Sequence, residues 1–442
     1  MSERTKIAAT LTGVLLLGGL LAGCGGASDK NGPGNTGSAG GSQEKVKLGL
    51  LIDNTQDSAN IAKALTDAFE AKYPNITIET ETRPGGNEGD NFVKTRLATG
   101  DMDDVLFYNS GAQLQALNPD KNLLDLTNEP FEANVLDSFK QTVSANGKVY
   151  GVPYSSSIGG GWLYNKKIYA KLGLSVPKTW SELMANNDKL KAAGITPIIG
   201  SYKDTWTSQI IVLADYYNVQ EQDPNFASDY TANKAKYATT PAALRSFQKL
   251  EQTAGYYNKD FLATTYDAGL KMLAEGKGAQ YPMLTFAIPA LMQNNPDQMN
   301  DIGFFAQPGD SPDKNGLTVW MPGAAYIYKN TEHPEEAKKL LSFIASPEGM
   351  AAVAKLSIPA GPYVVKGAVM PDNVPQVVKD MLPYFDQGKT APALEFLSPL
   401  KGPSLEQITV EVGAGKRKAE DAAKLYDQDV EKQAQQLGLA GW

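Results

Sequence analysis

From residue 45 onward the chain alternates between short apolar runs and longer stretches with helical spacing. Val46–Ile52 (VKLGLLI) is a nearly unbroken apolar run of strand length. In Ala59–Tyr73, Ile61, Leu65, Ala68, Phe69 and Lys72 recur at helical intervals, which predicts a helix ended by Pro74. Ile76–Thr82 (ITIETET) alternates as a strand does, Asn91–Thr99 reads as a helix stopped by Gly100, and Asp104–Tyr108 (DVLFY) is again a short apolar strand. Further along, Thr179-Trp180-Ser181-Glu182 is a capping box, in which hydroxyl and carboxylate satisfy free N–H groups at a helix start. Its helix runs to Ala193 and stops at Gly194, and Ile195–Gly200 is strand-like. Thr265–Glu275 and Glu335–Ala345 are further helices, and a last amphipathic helix runs from Arg417 to Gln433 with Ala422, Leu425, Val430 and Ala434 on its apolar side. Strands alternating with helices predict an α/β class, with a parallel sheet covered on both faces in a first lobe and the same habit in a second.

The N-terminus follows a different pattern. Arg4 and Lys6 precede the apolar run Leu11–Leu21, which is shorter than the roughly 20 residues that span a bilayer. It reads as the h-region of a secretory signal peptide over residues 1–23. The run ends Leu21-Ala22-Gly23-Cys24, and Cys24 is the only cysteine. This resembles the lipobox of bacterial lipoproteins, which implies cleavage before Cys24 and lipidation of its thiol. An ordinary signal peptide with an incidental cysteine is the plainer alternative, but it leaves an unpaired thiol in an exported protein unexplained. Gly25–Glu44 is rich in Gly, Ser and Asn with little apolar content, so it cannot offset its ordering entropy and reads as a tether. Its end-to-end distance would be about 25 Å. Residues 24–44 are thus the lipidated cysteine and linker.

Composition narrows the function. The formal charge of −8 argues against a nucleic-acid partner. No second apolar run approaches spanning length, and a body of roughly 400 residues predicts two domains. A single cysteine leaves no internal disulfide. The single histidine, His333, stands before Pro334-Glu335-Glu336, which is a helix entry rather than a catalytic setting. There is no G-x-S-x-G elbow, no P-loop, no Cys/His zinc cluster and no calcium loop of the form D-x-[DN]-x-[DN]-G, so no cofactor is expected.

The order of blocks resembles the extracellular solute-binding proteins of ATP-binding-cassette importers, in particular the carbohydrate-binding family that includes maltose-binding protein. The blocks are Ala68-Phe69-Glu70-Ala71-Lys72-Tyr73-Pro74 with Ile76, Gly100-Asp101 with Asp104-Val105, Gly147–Tyr154 with Leu163-Tyr164-Asn165-Lys166, Val176–Leu183, Gly276-Lys277-Gly278-Ala279 and His333–Ala337. Asp103 stands where that family usually has proline. The resemblance implies a two-lobed, periplasmic-binding-protein-like fold with a hinge and an interlobe cleft. The chain would cross near Pro153–Ser156, return near Pro282–Phe286 and cross again near Trp320–Tyr326. The lobes would then be residues 45–154 with 285–325, and 155–284 with 326–442. It also implies a monomer that closes on a sugar, passes it to permease subunits, stays on the membrane by its lipid and performs no catalysis.

A sugar cleft needs aromatic planes for C–H faces and polar groups for hydroxyls. Trp206, in the polar loop Lys203–Thr207, is favoured as a cleft residue over a peripheral core role. Trp320, before Gly323 and its small-residue block, reads equally as cleft or core, and Phe286 as a stacking ring or plain core. Gly323 is expected in the cleft because the family has a glycine-rich turn there. Asn54 and Asp57 follow the first strand and Asn109 follows another, which opens them on the cleft; turn formation and helix capping are their plain alternatives. Tyr154 lies at the crossover, and Tyr363 in Ile358–Tyr363 is a further candidate. Two other functions remain open. An exported glycoside hydrolase would need two carboxylates about 5–10 Å apart, and a sugar sensor would present its ligand to a neighbouring protein.

Overall fold

A computed structural model describes residues 45–442; the expected signal peptide, Cys24 and the linker lie outside the described residues. The path begins with β1 (Val46–Asp53), α1 (Gln56–Lys72), β2 (Ile76–Arg83), α2 (Gly86–Thr99), β3 (Val105–Tyr108) and β4 (Gly151–Pro153). It continues with β5 (Ile158–Asn165), α3 (Trp180–Ala192), β6 (Thr196–Ile198), α4 (Tyr266–Ala274), β7 (Gly278–Leu284), α5 (Ala287–Asn294), β8 (Ile302–Ala306) and β9 (Leu317–Trp320). Then come β10 (Ala324–Ile327), α6 (Pro334–Ile344), α7 (Pro347–Val353), β11 (Thr390–Pro392), α8 (Leu405–Gly413) and α9 (Ala419–Gln436).

The first sheet has the order β2-β1-β3-β10-β4, with β1 parallel to both β2 and β3 and β10 antiparallel to its two neighbours. β1 reads as an unbroken apolar run because it lies inside: Leu48, Leu50, Leu51 and Ile52 are all buried. β2 is an edge strand, which is why it alternates and can leave Glu79 and Glu81 in solvent. Helix α1 covers the sheet with Ile61, Leu65 and Phe69, each worth about 1.5–3 kcal/mol on burial. Gly100 ends α2 at φ 79°, the left-handed conformation that glycine adopts without strain.

The second sheet is built around β5. That strand pairs antiparallel with β7 on one side and with β9 and β8 on the other, while β6 and β11 lie parallel at the two edges. This corrects the expectation of a second sheet like the first. The apolar runs are equally buried in either arrangement, so hydrophobicity does not distinguish them.

The chain crosses between the sheets three times. The first crossing, at 154–157, and the second, at 321–323, fall where expected. The expected return near Pro282–Phe286 does not occur: Pro282 is inside β7, paired with Trp162 of β5, and Ile288 and Leu291 of α5 are buried in the second lobe's core. The third crossing lies between Val365, in the first core, and Val374, in the second, with Met370 packed against both. Residues 285–320 therefore belong with the second sheet. Residues 326–365, including α6 and α7, pack with the first. His333 stands at the N-terminal boundary of α6, the helix entry its setting suggested, and makes no side-chain hydrogen bond to the helix start.

Candidate functional site

Asp53 organises the turn that leaves β1. Its carboxylate accepts hydrogen bonds from the Thr55 N–H (3.0 Å), the Thr55 hydroxyl (2.6 Å) and the Ser58 hydroxyl (2.6 Å). Thr55 in turn caps α1 by accepting from the Ser58 N–H at 3.3 Å. This places Asp57 in the first turn of α1, half-buried, where it accepts a 2.6 Å hydrogen bond from the hydroxyl of Ser357, just beyond α7. Burial raises the Asp57 carboxyl above the usual range; the Ser357 bond offsets this in part, and the charge of Asp53 adds to the rise.

Asp57 lines a cavity of about 30 Å³ together with Ser156 of the first crossing, Ile158 at the start of β5, Phe286, Ser357 and Tyr363. Three of the residues proposed from sequence, Asp57, Phe286 and Tyr363, thus meet in one place. Asp57 and Ser357 come from the first lobe, and Phe286 leads into α5 of the second. Tyr363 is only 9% exposed. Its hydroxyl meets no hydrogen-bonding partner among the described residues, and burial pushes it up to about 12.

Beside this cavity stands an aromatic group. Trp206 lies 5.3 Å from Tyr266 and 5.7 Å from Phe286, and Tyr266 lies 5.8 Å from Phe286, all tilted and half-buried. The turn carrying Trp206 is pinned to α8: the Thr205 hydroxyl donates to Glu406 at 2.7 Å, and Ser208 and Thr409 share a hydrogen bond of 2.7 Å. The Tyr266 N–H donates to Asp204 at 2.6 Å, tying the start of α4 to the same turn. Tyr266 is near enough to Asp57, across the lobes, for the carboxylate's charge to add to the burial that holds its phenol protonated.

Trp320 is 8% exposed and packs with Ile210, Ala214 and Leu284, in the cluster against which Trp206 and Phe286 also rest. Its indole N–H donates to Glu395 at 2.5 Å, and its ring occupies the space a side chain at Gly160 would need. Tyr154 stacks on Phe107 at 4.2 Å and 9°. A Cβ on Gly323 would come within 2.3 Å of the Tyr154 hydroxyl, so glycine there makes room for that ring. Asn54 and Asn109 are exposed at the ends of the adjacent strands β1 and β3, outside the cavity lining.

Two residues near these groups were not singled out from the sequence. Tyr266 opens a capped helix, a position that gives no sign of an aromatic neighbour. Arg83 ends β2 opposite Asp53, is buried, and lies with its guanidinium 5.1 Å from the Tyr108 ring. A lone cation ending an acidic edge strand was the available signal. Among the described residues no group of three His, Cys, Asp or Glu side chains is gathered for a metal, and no helix is long and apolar enough to cross a membrane.

The sequence profile described as bacterial extracellular solute-binding protein matches residues 53–351. The chain is 26% identical over 357 residues to a multiple sugar-binding protein of Streptococcus mutans, covering 78% of this chain and 81% of that one. Among solved structures, a chitin oligosaccharide binding protein superposes with a TM-score of 0.77 at 21% identity, covering 88% of this chain and 99% of that one. A sugar transporter of Bacillus licheniformis in complex with stachyose gives a TM-score of 0.69 at 19% identity, covering 87% and 99%.

Proposed function

The chain belongs to the bacterial extracellular solute-binding proteins, and from that premise we propose that it captures an oligosaccharide between its lobes and delivers it to an ATP-binding-cassette permease. The observation that carries this reading is the half-buried group Trp206, Tyr266 and Phe286 beside the polar cavity of Asp57, Ser357 and Tyr363. Aromatic faces suit the C–H faces of sugar rings, and carboxylate and phenol groups suit their hydroxyl edges. The similarity to a multiple sugar-binding protein supports the ligand class. Three crossing segments between two cores provide the connection about which such lobes close.

In the same reading, residues 1–23 are a signal peptide, Cys24 carries the lipid, and the linker to residue 44 holds a monomeric receptor at the outer face of the membrane. The protein changes nothing in its ligand. Calorimetry against mono- to pentasaccharides, with scattering on the tightest binder, tests this. Saturable binding with a smaller radius of gyration and no new reducing ends is expected. Sugar-independent scattering, or release of reducing ends, would overturn it.

A further inference from the structure

The cavity at the lobe junction has the volume of about one water molecule. Its apolar wall includes Ile158 and Phe286, and its hydroxyl groups are unequally placed. The Ser357 hydroxyl is committed to Asp57, and the Ser156 hydroxyl accepts the Ala360 N–H at 2.9 Å. The Tyr363 hydroxyl, on a side chain more than nine-tenths buried, is left with no partner among the described residues. A buried phenol without a partner is costly for the fold, and such groups are rare in proteins. The ligand-free protein bears that cost at the place where first lobe, crossing segment and second lobe converge.

We propose that this cavity is a reading pocket for one hydroxyl or hydroxymethyl group at the end of the bound sugar, with Tyr363 hydrogen-bonding that group and Asp57 accepting from it. The inference rests on the sugar-binding reading above and adds to it a selection rule. The accessible space of about 30 Å³ suits one small polar group, so the pocket takes a substituent and leaves the sugar rings to Trp206, Tyr266 and Phe286. Phe286 comes from one lobe while Asp57 and Ser357 come from the other, so a group held here touches both lobes only when they are closed. A sugar lacking that hydroxyl leaves Tyr363 unpaired, and sites built to pair a hydroxyl discriminate strongly against ligands without one.

The test is calorimetry on the full chain, wild type and Tyr363→Phe, with raffinose, stachyose, maltotriose and chitotriose, then with monodeoxy analogues of the tightest binder. Tyr363→Phe is expected to weaken the parent sugar at least tenfold. It is also expected to leave one deoxy analogue, already weaker for the wild type, unchanged. The ligand-free variant should melt at the same temperature or higher, since the substitution removes an unpaired buried hydroxyl and keeps the ring. Equal affinity of both proteins for every sugar would overturn the inference alone and mark the cavity as a water site. A wild type that binds no sugar in the panel would overturn the sugar reading and this inference with it.

Discussion

Truncating Trp206 to alanine should weaken sugar binding by about 1.5–3 kcal/mol, roughly 10- to 150-fold in Kd, because it removes a ring-sized apolar contact. The indole rests on a turn anchored through Thr205 and Ser208, so the fold should hold, and calorimetry on the variant measures the loss. A second residue-scale expectation concerns Glu132. It is 6% exposed, both its carboxylate oxygens lack partners among the described residues, and burial pushes it up to about 7. Since the folded-state value lies above the ordinary one, folding favours the protonated form. The stability this gives is complete below about pH 4.5 and is lost as pH rises through about 7. Denaturant midpoints at pH 5 and pH 8 should therefore differ more for the wild type than for Glu132→Gln. At this scale the sequence was partly legible. Loop position after a strand singled out Asp57, and an aromatic in a polar loop singled out Trp206. Tyr266 and Arg83 acquire their surroundings only when distant segments fold together, and no local pattern announces that.

Strand β5 carries three consecutive glycines, and each is closely approached by a different residue. A Cβ at Gly159 would meet the Met381 methyl at 2.5 Å, at Gly160 the Trp320 indole at 2.2 Å, and at Gly161 the Phe305 carbonyl at 2.3 Å. Gly160→Ala should therefore displace the indole and cost about 1–3 kcal/mol, read as a lower denaturant midpoint. Because Trp206 and Phe286 rest on the same cluster, sugar affinity should fall as well. Element existence was clear from the sequence: the capping box at Thr179 opens α3, with the Thr179 hydroxyl accepting from the Glu182 N–H at 3.3 Å. Strand pairing was not clear. β7, β8 and β9 are fully buried, mostly apolar strands that would suit either sheet, and the return crossing was misplaced for that reason.

On the scale of the whole molecule, the candidate site draws on both cores, so a bound sugar should stabilise the two lobes together. Thermal unfolding at saturating sugar should show one transition shifted upward, with about 2.7 kcal/mol of added stability when the free sugar is 100-fold above Kd. Separate transitions, with only one moved by sugar, would place the ligand in a single lobe. The discontinuous lobes carry a further consequence. In the first sheet β10 lies between β3 and β4, yet it follows both in the chain by way of the entire second sheet apart from β11. While the polypeptide is being synthesised, that sheet stands open at its middle until most of the chain has been made. Contacts of such long sequence separation form slowly, so the first sheet is expected to set only after the strands of the second are in hand.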